Sequence, residues 1–338
     1  MLLELGIYFL LSFLLTSVFV PLCARIAFRW HILDIPDGVV KNHKRPTPYL
    51  GGVALYLGFL FGFLASLSQF SIPAFIFWFV LGATFLLIVG LIDDILVLKP
   101  WQKLAGQFFA VFFFIKAGIY HNSSFLCSPW HSALFVVWIL AVVNGFNLID
   151  VMDGLATSVA MAAASSFLAV AIFFNIIFIA VAASVLLGAL VAFFLYNKPP
   201  ATIYLGDAGA LFLGGFFAGL PLLISWGEFV SYGYLVPPTF LAIPLLEVAT
   251  LVVVRKYKKI PFYLASPDHF SLYLQKGGWS KWQVLLYILC IAISLFAIGF
   301  LFVAKYISIA MFFVLGGVVC VSWYGILLNS HFYFLKKH

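Results

Sequence analysis

From residue 73 to residue 92 the chain reads PAFIFWFVLGATFLLIVGLI, a stretch without an ionisable side chain. As a helix it rises about 30 Å, the thickness of a bilayer's hydrocarbon core. Backbone polar groups in lipid have no water to bond, so such a stretch must close its hydrogen bonds within itself, and a helix does so in one segment. Comparable apolar stretches lie near 3–24, 49–67, 104–120, 131–149, 155–174, 176–195, 208–226, 233–254, 283–304 and 306–328, eleven in all. With 65% hydrophobic and 9% charged residues across 338, no soluble globular class accommodates the chain. The expectation is an all-α integral membrane protein, one multi-pass domain over residues 1–338 built as a single bundle of about eleven transmembrane helices. The first segment outlasts a signal-peptide core and lacks a basic leader or a small-residue cleavage site, so it is expected to stay as a spanning helix. Cys23, Cys127, Cys290 and Cys320 stand apart with no CxxC pair, which suggests neither a disulfide framework nor a zinc site.

Placing the N-terminus outside and the C-terminus in the cytoplasm puts sixteen of the eighteen Lys and Arg residues inside, with Lys116 and Lys305 outside. A missed or invented helix would scramble that phase. The same phase carries Asp34, Asp37, Asp93, Asp94, Asp150, Asp153, Asp207 and Asp268 to the cytoplasmic face. The outer acids are Glu4 and Glu228, and Glu247 falls within a segment. Short carboxylates interleaved with Lys and Arg on one membrane face describe a site for a polyanionic ligand with Mg²⁺ beside lipid, not scattered solvating charge. No repeat at a fixed period and no inverted pair of broken helices is found, which argues against a transporter. Topology and anionic lipid account for the basic surplus of +7, and no nucleic-acid partner is expected.

Asp93 and Asp94 close one apolar segment ahead of Lys99 and Lys103. Adjacent helical residues diverge by about 100°, so the two acids divide labour; a solvated helix end with a Lys partner would also explain the dipeptide. Asn144, Asn147, Asp150 and Asp153 form a ladder of three-residue steps, with Gly145 and Gly154 free to bend the chain. A helix end plus turn of this kind can offer two or three oxygens inward, the way Mg²⁺ is held through few protein ligands and its substrate's phosphates. One helix cap needs one such residue, and four so close together exceed that need. In the segment YLGDAGA, Asp207 stands between two glycines at a helix start, where phosphate is favoured, though a plain N-cap is the simpler account of this motif alone. Two loops, one holding Lys41, His43, Lys44 and Arg45 and the other Ser266-Pro267-Asp268-His269, are basic. Topology and anionic lipid explain them, and they could also clamp a phosphorylated substrate. Together these features fit phosphoryl chemistry.

In order, PDGVVKNHKRPTPYLGG, LIDDILVLKPWQK, NGFNLIDVMDGLA and NKPPATIYLGDAGALFLG resemble the blocks of the polyprenyl-phosphate N-acetylhexosamine-1-phosphate transferases. This is the glycosyltransferase 4 superfamily of WecA, TagO and MraY, and the likeness runs from about Asp34 to Asp268. The resemblance implies a helical bundle with the N-terminus out and the C-terminus in, as in the WecA and TagO branch, in the bacterial cytoplasmic (inner) membrane. It implies transfer of HexNAc-1-phosphate from a UDP-N-acetylhexosamine, UDP-GlcNAc or a close relative, to undecaprenyl phosphate. UMP would leave, in a first membrane step of cell-envelope glycan synthesis. By position, Asp207 and Asn147 match ligands of Mg²⁺, with Mn²⁺ as a substitute ion, and Asp93 and Asp94 match the catalytic pair where the lipid phosphate is activated or positioned. Asn144, Asp150, Asp153, Asn197 and His269 match nucleotide- and sugar-binding positions, and Lys41, His43 and Lys103 match phosphate-binding ones. Homodimers are common in the family, so a homodimer is among the assemblies the resemblance allows.

Three departures from the family pattern bear on the donor. Val151 stands where the family usually has Gly, Glu247 where Asp is common, and the run Asp268 to Tyr273 keeps the one histidine His269 where relatives carry several. A phospho-MurNAc-pentapeptide transferase is therefore an alternative to the simple UDP-HexNAc enzyme. A transporter or scramblase of polyprenyl-linked sugars is a second alternative, weakened because no Asp, Lys or Arg lies mid-segment. A relative that has lost catalysis is a third, and the intact Asp93, Asp94, Asn147 and Asp207 speak against it.

Overall fold

The structure, a computed structural model, describes residues 1–34, 46–121, 129–259, 261 and 266–337. Lys41 and His43 lie outside the described residues. Every expected apolar stretch is helical: α1 (Leu2–Arg29), α2 (Gly51–Ser66), α3 (Phe75–Leu96), α4 (Pro100–His121), α5 (Pro129–Ile149), α6 (Leu155–Phe173), α7 (Ile177–Asn197) and α8 (Gly206–Gly219) are followed by two short helices, α9 (Trp226–Phe229) and α10 (Val236–Phe240), then α11 (Ala242–Tyr257), α12 (Phe270–Lys276), α13 (Lys281–Val303) and α14 (Ile309–Lys337). Among the described residues, eight helices are long and apolar enough to cross a membrane, or up to nine with one bent pair. The chain is an all-α integral membrane protein. Of the other expected stretches, α2 has only 16 residues, and α4 carries Gln102, Lys103, Gln107 and Lys116 along its length.

The bent pair has a local cause. The stretch expected as one span, 233–254, breaks by 73° between Phe240 and Ala242. Pro244 has no N–H for the carbonyl of Phe240, four residues back, and its ring crowds that carbonyl, so α11 cannot continue α10.

The chain packs as two compact units, Met1–Leu223 and Ile224–His338. In the first, α8 is the axis: it packs on α2, α3 and α5, while α1 lies against α2 and α7, and α6 against α7. Aromatic rings fill the centre, with Phe216 5.2 Å from Phe79 and Phe217 stacked 5.3 Å from Phe146. Such pairs add about 0.5–1.5 kcal/mol each beyond their buried area. Gly90 faces the backbone of Asp207 and Ala208 with no room for a Cβ, so α3 approaches α8 there and delivers its acidic end to the start of α8. A short antiparallel pair, β1 (Leu33–Asp34) with β2 (Thr47–Pro48), sets Asp34 opposite Thr47. The chain beyond β2 is laced to the lead into α8: Tyr204 N–H donates to Pro48 O at 2.9 Å, Gly51 N–H to Tyr204 O at 3.1 Å and Gly52 N–H to Leu205 O at 2.9 Å. In the second unit α10 packs on α13, and α12 lies on α13 and α14 with Phe270 4.5 Å from Trp323.

Candidate active site

At the end of α3, Val97 takes a left-handed φ of 52°. The chain reverses, and Leu98 N–H donates to Asp93 Oδ1 at 2.7 Å. The first turn of α4 then carries Lys103 back over the acids. Its Nζ lies 2.9 Å from Asp93 Oδ2, 2.8 Å from Asp207 Oδ2 and 3.2 Å from Asn147 Oδ1. Asn147 Nδ2 donates in turn to Asp207 Oδ1. One network thus joins side chains from α3, α4, α5 and α8. The Asp207 side chain keeps 32% of its surface exposed, so the network is reachable from outside.

Asp94 takes different partners. Its Oδ1 accepts the Asp207 N–H at 2.8 Å and its Oδ2 the Ala208 N–H at 3.0 Å. Both N–H groups belong to the first turn of α8, where no carbonyl of the same helix is available, and the negative charge meets the positive end of the helix. Gly206, at a φ of 71°, makes the turn that aims those N–H groups at Asp94.

Helix α5 ends at Ile149, and residues 150–154 turn into α6. The left-handed position of that turn is Gly154, with φ 72°. Val151 is not among the left-handed residues, so a side chain in place of the family's glycine carries no backbone strain there. Asp150 is half-buried. Burial first, then the fields of Asp207, Asp94 and Asp153, hold its carboxyl well above the usual range, with Lys103 pulling the other way. Asp153 Oδ2 accepts the Ala201 N–H at 3.3 Å. Two of the expected nucleotide-binding amides are engaged between helices. Asn144 Nδ2 donates to Gln107 Oε1 at 2.7 Å, tying α5 to α4. Asn197 is buried; its Oδ1 accepts the Gly154 N–H at 3.2 Å and the Thr157 hydroxyl at 2.8 Å, and its Nδ2 donates to Ile203 O at 3.0 Å.

His269 belongs to the second unit, where its Nδ1 is 2.8 Å from Glu247 Oε1. Glu247 is fully buried, and its other oxygen accepts the Phe270 N–H at 3.4 Å. Beside them Asp268 accepts from Lys258 Nζ at 2.5 Å and from the Tyr273 hydroxyl at 2.8 Å. Burial works against the Asp268 charge, but the bonds from Lys258 and Tyr273 outweigh it and hold the carboxyl below its ordinary value.

The sequence profile of glycosyl transferase family 4 matches residues 76–225, the stretch that supplies Asp93 through Asp207. A Latilactobacillus sakei protein named phospho-N-acetylmuramoyl-pentapeptide-transferase is 30% identical over 301 residues, covering 81% of this chain and 90% of its own length. The chain belongs to glycosyl transferase family 4. Another relative, from Bacillus subtilis, is named a probable undecaprenyl-phosphate N-acetylglucosaminyl 1-phosphate transferase and is 26% identical over 306 residues, 87% of this chain and 82% of its own. A Lactobacillus helveticus protein with the same name as that of Latilactobacillus sakei is 30% identical over 300 residues, 81% of this chain and 90% of its own. Family 4 membership agrees with the superfamily that the four sequence blocks resemble.

The donor set of this family 4 site suits a hard divalent cation. Asp207 and Asn147 turn oxygens toward one point, now taken by the Lys103 ammonium. Among the described residues no group of three His, Cys, Asp or Glu side chains could form a metal cage. Mg²⁺ could therefore be held by one or two protein oxygens, with water and substrate phosphate completing its six ligands, the habit of this ion.

Tyr49, Tyr204 and Gln107 border the site without having stood out in the sequence, and they are joined by Asp34, one of the eight inner-face aspartates. The Tyr49 phenol bonds Asp34 on β1, and burial, then that bond, keep it protonated well above an ordinary tyrosine. The rings of Tyr49 and Tyr204 are 6.0 Å apart. Both tyrosines lie inside blocks quoted for their acids and glycines, so the signal was present in the motif but not in its charge.

Proposed function

We propose that this family 4 protein transfers HexNAc-1-phosphate from a UDP-N-acetylhexosamine to undecaprenyl phosphate, releasing UMP at the cytoplasmic face of the bacterial inner membrane. The observation that carries the reading is the network joining Asp93, Lys103, Asn147 and Asp207 from four helices. Two substrates that are both phosphate anions repel each other, and a cluster of fixed acids, amides and a buried cation is the arrangement that can hold them together. Asp207 and Asn147 would hold Mg²⁺, which when bound neutralises charge on the pyrophosphate. Lys103 offers its ammonium to phosphate oxygens, Asp93 aligns Lys103, and Asp94 holds the first turn of α8 and with it Asp207. An oxygen of the lipid phosphate attacks the sugar-bearing phosphorus; the new P–O bond forms as the bond to UMP breaks. Positioning and charge suffice for that displacement, so no covalent enzyme step is required. Asp150 and Asp153 line the nucleotide side, Lys41 and His43 serve the phosphates, and His269, held by Glu247, addresses the donor. The bias of sixteen Lys and Arg to two supports an eleven-span topology with the N-terminus outside. A homodimer accords with the family.

The donor is the finer question. We take UDP-GlcNAc or a close relative, in keeping with the name of the Bacillus subtilis relative. The 30% identity to a protein named for the MurNAc-pentapeptide reaction favours that donor as the second reading. Purified protein should be given undecaprenyl phosphate, Mg²⁺ and, in turn, UDP-GlcNAc, UDP-GalNAc and UDP-MurNAc-pentapeptide, with UMP measured. UMP release that requires the polyprenyl phosphate supports the reaction. Release with the pentapeptide donor alone selects the second reading, and silence with every donor refutes both.

A further inference from the structure

Lys103 is held unlike a residue waiting in solvent for a phosphate. Only 16% of its side chain is exposed. Its ammonium touches oxygens of three helices, Asp93 at 2.9 Å, Asp207 at 2.8 Å and Asn147 at 3.2 Å. Two of those three, Asp207 and Asn147, are the residues assigned above to the divalent ion. An ammonium meets its acceptors near 2.8 Å, whereas Mg²⁺ draws oxygens to about 2.0–2.1 Å. Two cations competing for the same two oxygens cannot both hold them, and like charges packed that closely repel. The third contact behaves differently. Asp93 is fixed from the other side by the Leu98 N–H at 2.7 Å, so it remains an anchor for Lys103 if the other two contacts are given up.

We propose that Lys103 is an internal placeholder for the divalent cation: it neutralises Asp207 and occupies the Asn147 oxygen before the ion loads, and must release both when the ion binds. The proposal rests on the metal assignment made above and goes beyond it, because it makes metal loading and the freeing of Lys103 one coupled event. Released from Asp207 but still paired with Asp93, the ammonium turns toward the arriving phosphates, so a phosphate-binding cation is presented only in the loaded site. The long, flexible lysine stem permits such a swing, where an arginine fork would be less free to leave. The placeholder also has a use without the ion. Asp93 at 2.9 Å and Asp207 at 2.8 Å both meet the Lys103 ammonium, and an internal cation between them restrains the repulsion of the two carboxylates.

The test uses the full chain in detergent without substrates. Mn²⁺ binding, followed by electron paramagnetic resonance, is compared between the native protein and Lys103→Met. Removing one like charge and one competitor should tighten the Mn²⁺ dissociation constant by about tenfold or more. Because Lys103→Met leaves acids unpaired and could fail to fold, a second measurement needs no variant. Acetylation of Lys103 in the native protein, read by mass spectrometry, should quicken severalfold on addition of Mg²⁺, while Lys256 and Lys276 do not change. An unaltered dissociation constant in a folded Lys103→Met, or Lys103 labelling indifferent to an ion that does bind, overturns the placeholder and leaves the metal assignment standing. Native protein that binds no more Mn²⁺ than Asp207→Asn overturns both.

Discussion

Asp94→Asn tests whether Asp94 serves as the positioner of α8. The substitution keeps the size of the side chain and removes its charge and one acceptor. Both carboxylate oxygens are in use, on the Asp207 N–H at 2.8 Å and the Ala208 N–H at 3.0 Å. An asparagine has one oxygen for those two donors, and its NH₂ would face the other N–H, donor against donor. The loss of one charge-assisted bond is about 1.5–3 kcal/mol. Removing an anion from the helix N-terminus adds about 0.3–1 kcal/mol. About 2–4 kcal/mol against the native start of α8 corresponds to about 30- to 1000-fold fewer molecules with Asp207 in register, at 1.36 kcal/mol per decade. Since one of the two N–H groups is that of Asp207 itself, the shift falls directly on the proposed metal ligand. Turnover, measured as UMP release at saturating substrates, should drop at least about 30-fold. Mn²⁺ affinity should weaken in step with turnover. Turnover within about threefold of the native protein would refute the positioning argument. So would loss of the acid limb with Mn²⁺ binding intact, which would make Asp94 a proton acceptor.

Asp207→Asn should abolish Mg²⁺-dependent UMP release while circular dichroism and gel filtration stay native; undiminished turnover would remove Asp207 from the metal site. Gly206→Ala forces a Cβ onto a φ of 71°, 2.7 Å from Asp94 Oδ2 and 2.8 Å from Tyr49 O, and should lower both the thermal midpoint and turnover, with a strain of about 1–3 kcal/mol. His269→Ala leaves Glu247 fully buried without its partner, so the second unit should lose about 3 kcal/mol in thermal unfolding and the donor KM should rise more than the lipid KM. The Asp268–Lys258 pair makes stability depend on pH in a defined sense. Asp268 lies below its ordinary 3.8 in the folded chain, so its contribution is complete above 3.8 and is lost as pH falls through the lower folded value. Lys258, raised by its bond to Asp268, contributes in full below 10.5 and loses that as pH rises through its folded value. Lys258→Met should flatten both ends of the thermal midpoint plotted against pH, and an unchanged curve would show the pair to be without effect.

The helices were legible because lipid leaves the backbone no alternative, and hydropathy alone finds segments that must bond to themselves. What hydropathy missed are places where one residue matters more than a window. Pro244 sits inside a strongly apolar stretch and scores as tolerable, yet the lost bond to Phe240 divides the segment by 73°. The acids were legible for a similar reason: a carboxylate at a membrane edge is costly, so its presence signals use. Their partners were not. The three-residue ladder suggested that Asn144 shares a purpose with Asn147, but a step of about 300° per three residues turns Asn144 to Gln107 and Asn147 to Asp207. Asp34 and Tyr49 come together only through the pairing of 33–34 with 47–48, two-residue strands too short for any periodicity to register. Lys103 shows the limit most clearly. Charge counting assigns it to the cytoplasmic face, which leaves it a topological lysine or a phosphate contact. That it lies between Asp93 and Asp207 depends on the reversal at Val97 and on Gly90 letting α3 approach α8. Its competition with a divalent ion follows from that packing, and no spacing in the sequence encodes it.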